Sequence, residues 1–246
     1  MMDELLKMCG VSDVLDIEYH LPFNTRLFHV CNIKYPINQF NSSGYGDRRF
    51  DPIEIAPGKY IGSYYAATHY IDAFAETFLR KTHGNTREFS DITECDLLQS
   101  DIKRDLCFLD MEKVLTPKIK DALHKSKFDK SSIDPNESIY PILTGFARAF
   151  LHYDCDFHFA GLTWEGYQRG VNGHRCFVLF DDRSGTKDLE LRVRENFYSD
   201  SGYNKLSDSF FNLADTLPIP KKSELKKAGE KFRAGLANAS KKAGSK

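Results

Sequence analysis

Two adjacent arginines, Arg48 and Arg49, a tyrosine, Tyr65, and a glutamate, Glu76, fall within a single stretch, GYGDRRFDPIEIAPGKYIGSYYAATHYIDAFAETFLRK, residues 44–81. Each residue type suits one part of a phosphorylated, sugar-containing ligand. A guanidinium is planar and can give two parallel hydrogen bonds to a phosphate. A phenol offers a ring face and a polar handle. A carboxylate can stabilise positive charge developing on a ribose ring and orient an acceptor beside it. Arg48, Arg49, Tyr65 and Glu76 are therefore the candidates for holding such a ligand.

The elements that would position these groups can be read from pattern. Glycines at 44 and 46 place the two arginines in a loop. After the turn signal Pro57-Gly58, residues 60–67 (YIGSYYAA) read as a strand bearing Tyr65. From Tyr70 the apolar spacing becomes helical, with Ile71, Phe74 and Phe78 three and four residues apart. Glu76 then lies about half a turn from Phe74 and Phe78, on another face of that helix.

The surrounding chain supplies the body for such a site. Residues 3–20 read as short helical turns capped at Ser12. RLFHVCNI reads as a strand, FLDM (108–111) as another, and Thr116-Pro117 as a helix start. Residues 139–152 place Ile142, Leu143, Phe146, Ala149 and Phe150 on one helical face. The apolar run Cys176–Phe180 reads as a strand buried on both sides, residues 186–198 as a further strand, and LSDSFFNLADTL as a short helix.

Composition narrows the class. The 246 residues are 41% hydrophobic, 28% charged and 13% aromatic, as in soluble globular proteins. No apolar run approaches the roughly 20 residues of a membrane helix, and the N-terminus lacks the pattern of a secretory signal. The six cysteines show no CxxC or zinc spacing and read as reduced thiols. GxGxxG and GxxxxGK[ST] are absent, which removes the sequence case for a Rossmann dehydrogenase or a P-loop kinase. Residues 221–246 hold nine Lys or Arg against two Glu, so this tail carries about +7 and the remainder about −8 of the net −1. The tail, broken by Gly229 and Gly235, reads as a marginal basic helix or a flexible extension.

Several segments taken in order resemble the RES domain family, the toxins of RES–Xre toxin–antitoxin systems. RLFHV resembles the family's opening strand, RRFDP its G-R-F-N/D-P loop, and YAATHYIDAFAETF its strand tyrosine and helix glutamate eleven residues apart. AGLTW followed by HRCFVLFDDR resembles its closing motifs. The resemblance spans about residues 26–183. It implies an α+β fold of mixed small sheets flanked by helices, similar to ADP-ribosyltransferases. It also implies cleavage of the nicotinamide–ribose bond of NAD with water or phosphate as acceptor. NAD is then the substrate and no metal is required. The expected partners are a Xre-like antitoxin and a second copy in a homodimer, in the cytoplasm.

On this alignment the family's opening-strand arginine falls on His29 and its signature serine on Gly166. Tyr167, Gln168 or Glu165 would have to cover the serine's role. The resemblance implies a catalytic set of Glu76, Tyr65 and Arg49, with ligand contacts from His29, Arg48, Trp164, Gly166 and Gln168. Two alternatives stay open: ADP-ribosyl transfer to a macromolecule, and a catalytically weakened nucleotide- or protein-binding module. The implied organisation is an N-terminal helical extension over 1–20, the catalytic domain over 21–217 and the basic tail over 218–246.

Overall fold

A computed structural model describes residues 1–44, 49–50, 52–79, 92–126, 139–166, 174–213 and 219–243. The fold is α+β, as expected. Among the described residues, ten strands form an eight-stranded sheet and a two-stranded hairpin, and six α-helices pack around them. The strands are β1 (Glu18–Leu21), β2 (Arg26–Asn32), β3 (Ile53–Ala56), β4 (Lys59–Ile61) and β5 (Ser63–Ala67). After them come β6 (Cys95–Ile102), β7 (Leu106–Asp110), β8 (Gly161–Glu165), β9 (Arg175–Phe180) and β10 (Leu189–Asn196). The helices are α1 (Met2–Cys9), α2 (Tyr70–Phe74), α3 (Pro117–Ser126), α4 (Tyr140–Tyr153), α5 (Asp200–Leu213) and α6 (Lys222–Ala243).

The large sheet runs β1-β7-β8-β9-β5-β2-β6-β10. Every pairing is antiparallel except β7 with β8. Its ladder has one thin point: β2 and β5 share the single pair Phe28↔Ala67, whereas β5 and β9 share five. A five-strand and a three-strand portion thus meet at a seam. There the Nδ1–H of His29 donates to the Tyr65 carbonyl oxygen at 2.6 Å. The hairpin β3–β4 turns at Pro57-Gly58, where Gly58 has φ 72°, as the third position of a type II turn requires.

The two sheet faces bury different cores. One is covered by the helices and holds Val30, Tyr65, Ala67, Leu162, Trp164, Cys176 and Val178 against Phe74, Phe146 and Phe150. The other is a smaller cluster around Leu27, Tyr64, Phe108, Phe177 and Leu179. Strand residues alternate between the faces.

Several expectations shift. Residues 18–20, placed in the helical extension, run with Leu21 as edge strand β1 against β7, and Asp13 rather than Ser12 caps the turn before it, accepting from the Leu15 N–H. The strand expected over 60–67 divides at Gly62 into β4 and β5. An added Cβ at Gly62 would lie 2.4 Å from the Asp181 carboxylate, so only glycine allows this approach. The tail is a 22-residue helix, not a loose extension. Leu225 is fully buried, Gly229 packs on the Tyr198 ring, and Arg233 pairs with Asp96. Among the described residues, no helix is long and apolar enough to cross a membrane.

Candidate functional site

Helix α2 lies over β5 and β9, and its first residues set the geometry. His69 caps it, its Nδ1 accepting from the Ile71 N–H at 3.3 Å. After Phe74 the helix widens into a π turn, Ala75–Leu79, a local distortion that often marks functional positions. Phe74 and Phe78 turn toward Phe197, and Phe74 also meets Phe210. Asp72 and Glu76 instead face the sheet. Four helical residues advance about 6 Å, close to the two-residue step of a strand, about 6.8 Å. The two carboxylates therefore match two successive inward residues of β9 and the residue just before it, Cys176 and His174.

At the Glu76 level, the Nη2 of Arg49 donates to Glu76 Oε1 at 3.2 Å. The guanidinium lies 5.1 Å from the centroid of the Trp164 ring, a cation–π contact. Arg49 is 1% exposed, and its Nε and Nη1 find no acceptor among the described residues. The Cys176 thiol hydrogen-bonds to Glu76. Burial, reinforced by the charges of Glu76 and Asp72, pushes that thiol far up from its ordinary value. Thr144 on α4 donates to the Arg49 carbonyl oxygen at 3.2 Å. The Tyr65 hydroxyl accepts from the Phe50 N–H at 3.1 Å, so two elements hold the Arg49–Phe50 backbone.

At the Asp72 level, the fully buried carboxylate has Oδ2 2.9 Å from the Nδ1 of His174, an ion-pair distance whose angle is too poor for a hydrogen bond. The His174 ring stacks on His69 at 4.4 Å and 20°. Burial, followed by the neighbouring His174, holds the His69 imidazole below its ordinary pKa, against opposing pulls from Asp72 and Asp208. His69, Asp72 and His174 bring three donor atoms within 4.8 Å. Rings stacked so nearly parallel do not both aim an in-plane nitrogen at one ion, so the arrangement suits a carboxylate–imidazole pair better than a metal centre.

The sequence-derived residues therefore divide. Arg49, Tyr65, Glu76 and Trp164 come together on one face of the sheet. His29 does not join them. It follows Phe28, whose ring meets Tyr70 at 6.0 Å, and alternation sends His29 to the other face, where its ring lies 4.3 Å from that of Tyr64, tilted by 37°. Two expected roles also change. Arg49 is buried and already paired with Glu76, and Trp164, 0% exposed, has the Arg49 guanidinium against its ring.

Gly166 does lie at the site, but its place is taken: an added Cβ would sit 2.6 Å from the Asp72 carboxylate. Arg48 and Gln168, like Tyr167, lie outside the described residues. Glu165 is exposed, its backbone N–H donating to Glu112.

Sequence reading missed Asp72 and His174. The four-residue spacing of Asp72 and Glu76 was the available signal for the first. His174 is brought in by β9, a hundred residues further along the chain, and has no local signature.

Comparison with known proteins adds one likeness. No family model matches the chain, and no curated protein sequence matches it. Among solved structures, a chain in the crystal structure of the M. tuberculosis MbcT–MbcA toxin–antitoxin complex aligns with a TM-score of 0.46 and 16% identity, over 77% of this chain and 90% of that one.

Proposed function

We propose that this chain is a RES-type, toxin-like enzyme that cleaves the nicotinamide–ribose bond of NAD, with water or phosphate as acceptor. The observation that carries the reading is the buried Arg49 guanidinium. It spends one nitrogen on Glu76 and leaves Nε and Nη1 without acceptors among the described residues. Unmet buried donors are costly, and pyrophosphate oxygens would satisfy them. The order of the RRFDP, strand-tyrosine and A-F-x-E-T-F motifs supports the same ligand.

In this mechanism the pyrophosphate exchanges with Glu76 on the guanidinium. Glu76 is then released to face the ribose, where its negative charge stabilises the oxocarbenium-like transition state as nicotinamide departs. Asp72 and His174, one helical turn away, take over the place of the missing serine. His174 accepts a proton from the acceptor water and Asp72 orients the ring. Tyr65 serves by fixing the Arg49–Phe50 backbone. A cognate antitoxin would restrain such an enzyme by binding over this site.

The test is nicotinamide release from NAD by purified protein. Wild type should exceed the blank, and Glu76→Gln, which keeps the shape and a hydrogen bond to Arg49, should lose at least about 100-fold. Equal rates for the two proteins, or wild type at the blank rate, overturn the proposal. A second reading, a nucleotide-binding module without turnover, is favoured by the full burial of Trp164 and by Gly166, which brings no hydroxyl. It predicts thermal stabilisation by NAD with no nicotinamide released. ADP-ribosyl transfer to a macromolecule would instead appear as labelled target with tagged NAD.

A further inference from the structure

Away from this site, on the edge pair β1–β7, three side chains of metal-binding type converge. Glu18 and His20 are two apart on β1 and share a face. Cys107 on β7 is the cross-strand partner of His20, so it shares that face too. Ligand atoms of these three lie within 4.8 Å of one another. His158, from the segment between α4 and β8, brings its Nε2 to 2.5 Å from Glu18 Oε1, while the Nε2 of His20 lies 3.0 Å from Oε2.

We infer that Cys107, His20 and Glu18 form a binding site for a zinc-type divalent cation, with His158 bracing Glu18. A tetrahedral zinc ion with bonds of about 2.0–2.3 Å separates its ligand atoms by about 3.3–3.8 Å, and the three ligand atoms, all within 4.8 Å of one another, reach that spacing by small side-chain rotations. The donor set, one sulfur, one imidazole and one carboxylate with the fourth position left to solvent, is one that such an ion accepts. Two ligands come from one strand and the third from its hydrogen-bonded neighbour, which fixes their relative positions before an ion arrives. The Glu18 side chain is 7% exposed and that of His20 is 72% exposed, so the ion would enter from solvent on the His20 side. On binding, the Cys107 thiol gives its proton to the buffer and its sulfur pair to the metal.

The site has no sequence signature, because its ligands lie at 18, 20 and 107. Its effect would be to tie edge strand β1 to β7.

The experiment uses the full chain stripped with chelator and titrated with Co²⁺ and Zn²⁺ alone. One Co²⁺ per chain is expected, with a sulfur-to-cobalt charge-transfer band that Zn²⁺ abolishes. At Zn²⁺ a hundredfold above Kd, the melting temperature should rise by about 5–10 °C. Cys107→Ser should remove the band, Cys155→Ser should keep it, and His20→Ala, at an exposed side chain that folding does not need, should weaken binding at least tenfold. No binding at micromolar Co²⁺, a spectrum without the thiolate band, or a band that survives Cys107→Ser overturns the site. None of these readouts depends on NAD turnover.

Discussion

Restoring a serine at residue 166 should damage this protein. An ideal Cβ there lies 2.6 Å from both Cγ and Oδ1 of Asp72 and 2.9 Å from Oδ2, where ordinary contact begins near 3.4 Å. Asp72 cannot swing aside, because it is fully buried on α2 and faces His174 at 2.9 Å. Gly166 has no positive φ in the range that excludes side chains, so the penalty is steric. Overpacking of this kind costs about 1–3 kcal/mol, or about 2–12 °C in melting temperature for a chain of this size. Removing the obstacle should remove the penalty. In an Asp72→Ala background, Gly166→Ser should be close to neutral, giving a coupling energy of about 1–3 kcal/mol, within the range for touching residues. Urea denaturation of wild type, the two single variants and the double variant closes the cycle. A Gly166→Ser midpoint equal to wild type, or the same loss in both backgrounds, refutes the claim that Asp72 fills the serine's place.

Three further predictions concern the scaffold. Arg183 and Asp154 form a buried pair at 2.6 Å with side chains 1% and 0% exposed, and Arg183 also donates to the Leu151 and Asp154 carbonyl oxygens at the end of α4. Arg183→Met leaves the carboxylate uncompensated and should cost about 3–5 kcal/mol in chemical denaturation, with much of that recovered by adding Asp154→Asn. Because burial lowers the His69 pKa, the unfolded chain binds the proton more tightly and folding stability must fall as pH drops through the unfolded value near 6.5. His69→Gln should flatten that part of the stability–pH curve, read from melting temperatures between about pH 5 and 7. Gly229→Ala would stabilise an exposed helix by about 1 kcal/mol. Here its Cβ would lie 2.3 Å from the Tyr198 ring, so it should instead lower stability and speed proteolysis before α6.

Much of the site was legible because local pattern controls it. The 3.6-residue spacing of Ile71, Phe74 and Phe78 placed Glu76 on a different face, and the apolar run of β9 marked a central strand. What was not legible depends on partners distant in sequence. Strand β6 was missed because its buried residues include Asp96, Gln99 and Asp101. The two carboxylates are tolerated inside because Arg194 and Arg233 meet Asp96, while Arg26 and Arg192 meet Asp101. His29 was misplaced because matching a motif position does not determine which face a strand residue takes. The two glycines of the tail argued against a helix, yet Gly229 is a packing contact, a choice made by Tyr198 rather than by helix propensity.

The single ladder pair between β2 and β5 bears on how the molecule opens. Cooperative opening follows the density of hydrogen bonds and packing that must break together. Phe28↔Ala67 and the His29–Tyr65 bond are far less than the seven pairs that join β2 to β6. Native-state amide exchange should therefore resolve two protected blocks, β2-β6-β10 and β7-β8-β9-β5, with separate opening free energies. Tyr65 and the floor of the carboxylate site belong to the second block, while its seam with the first is where local unfolding starts.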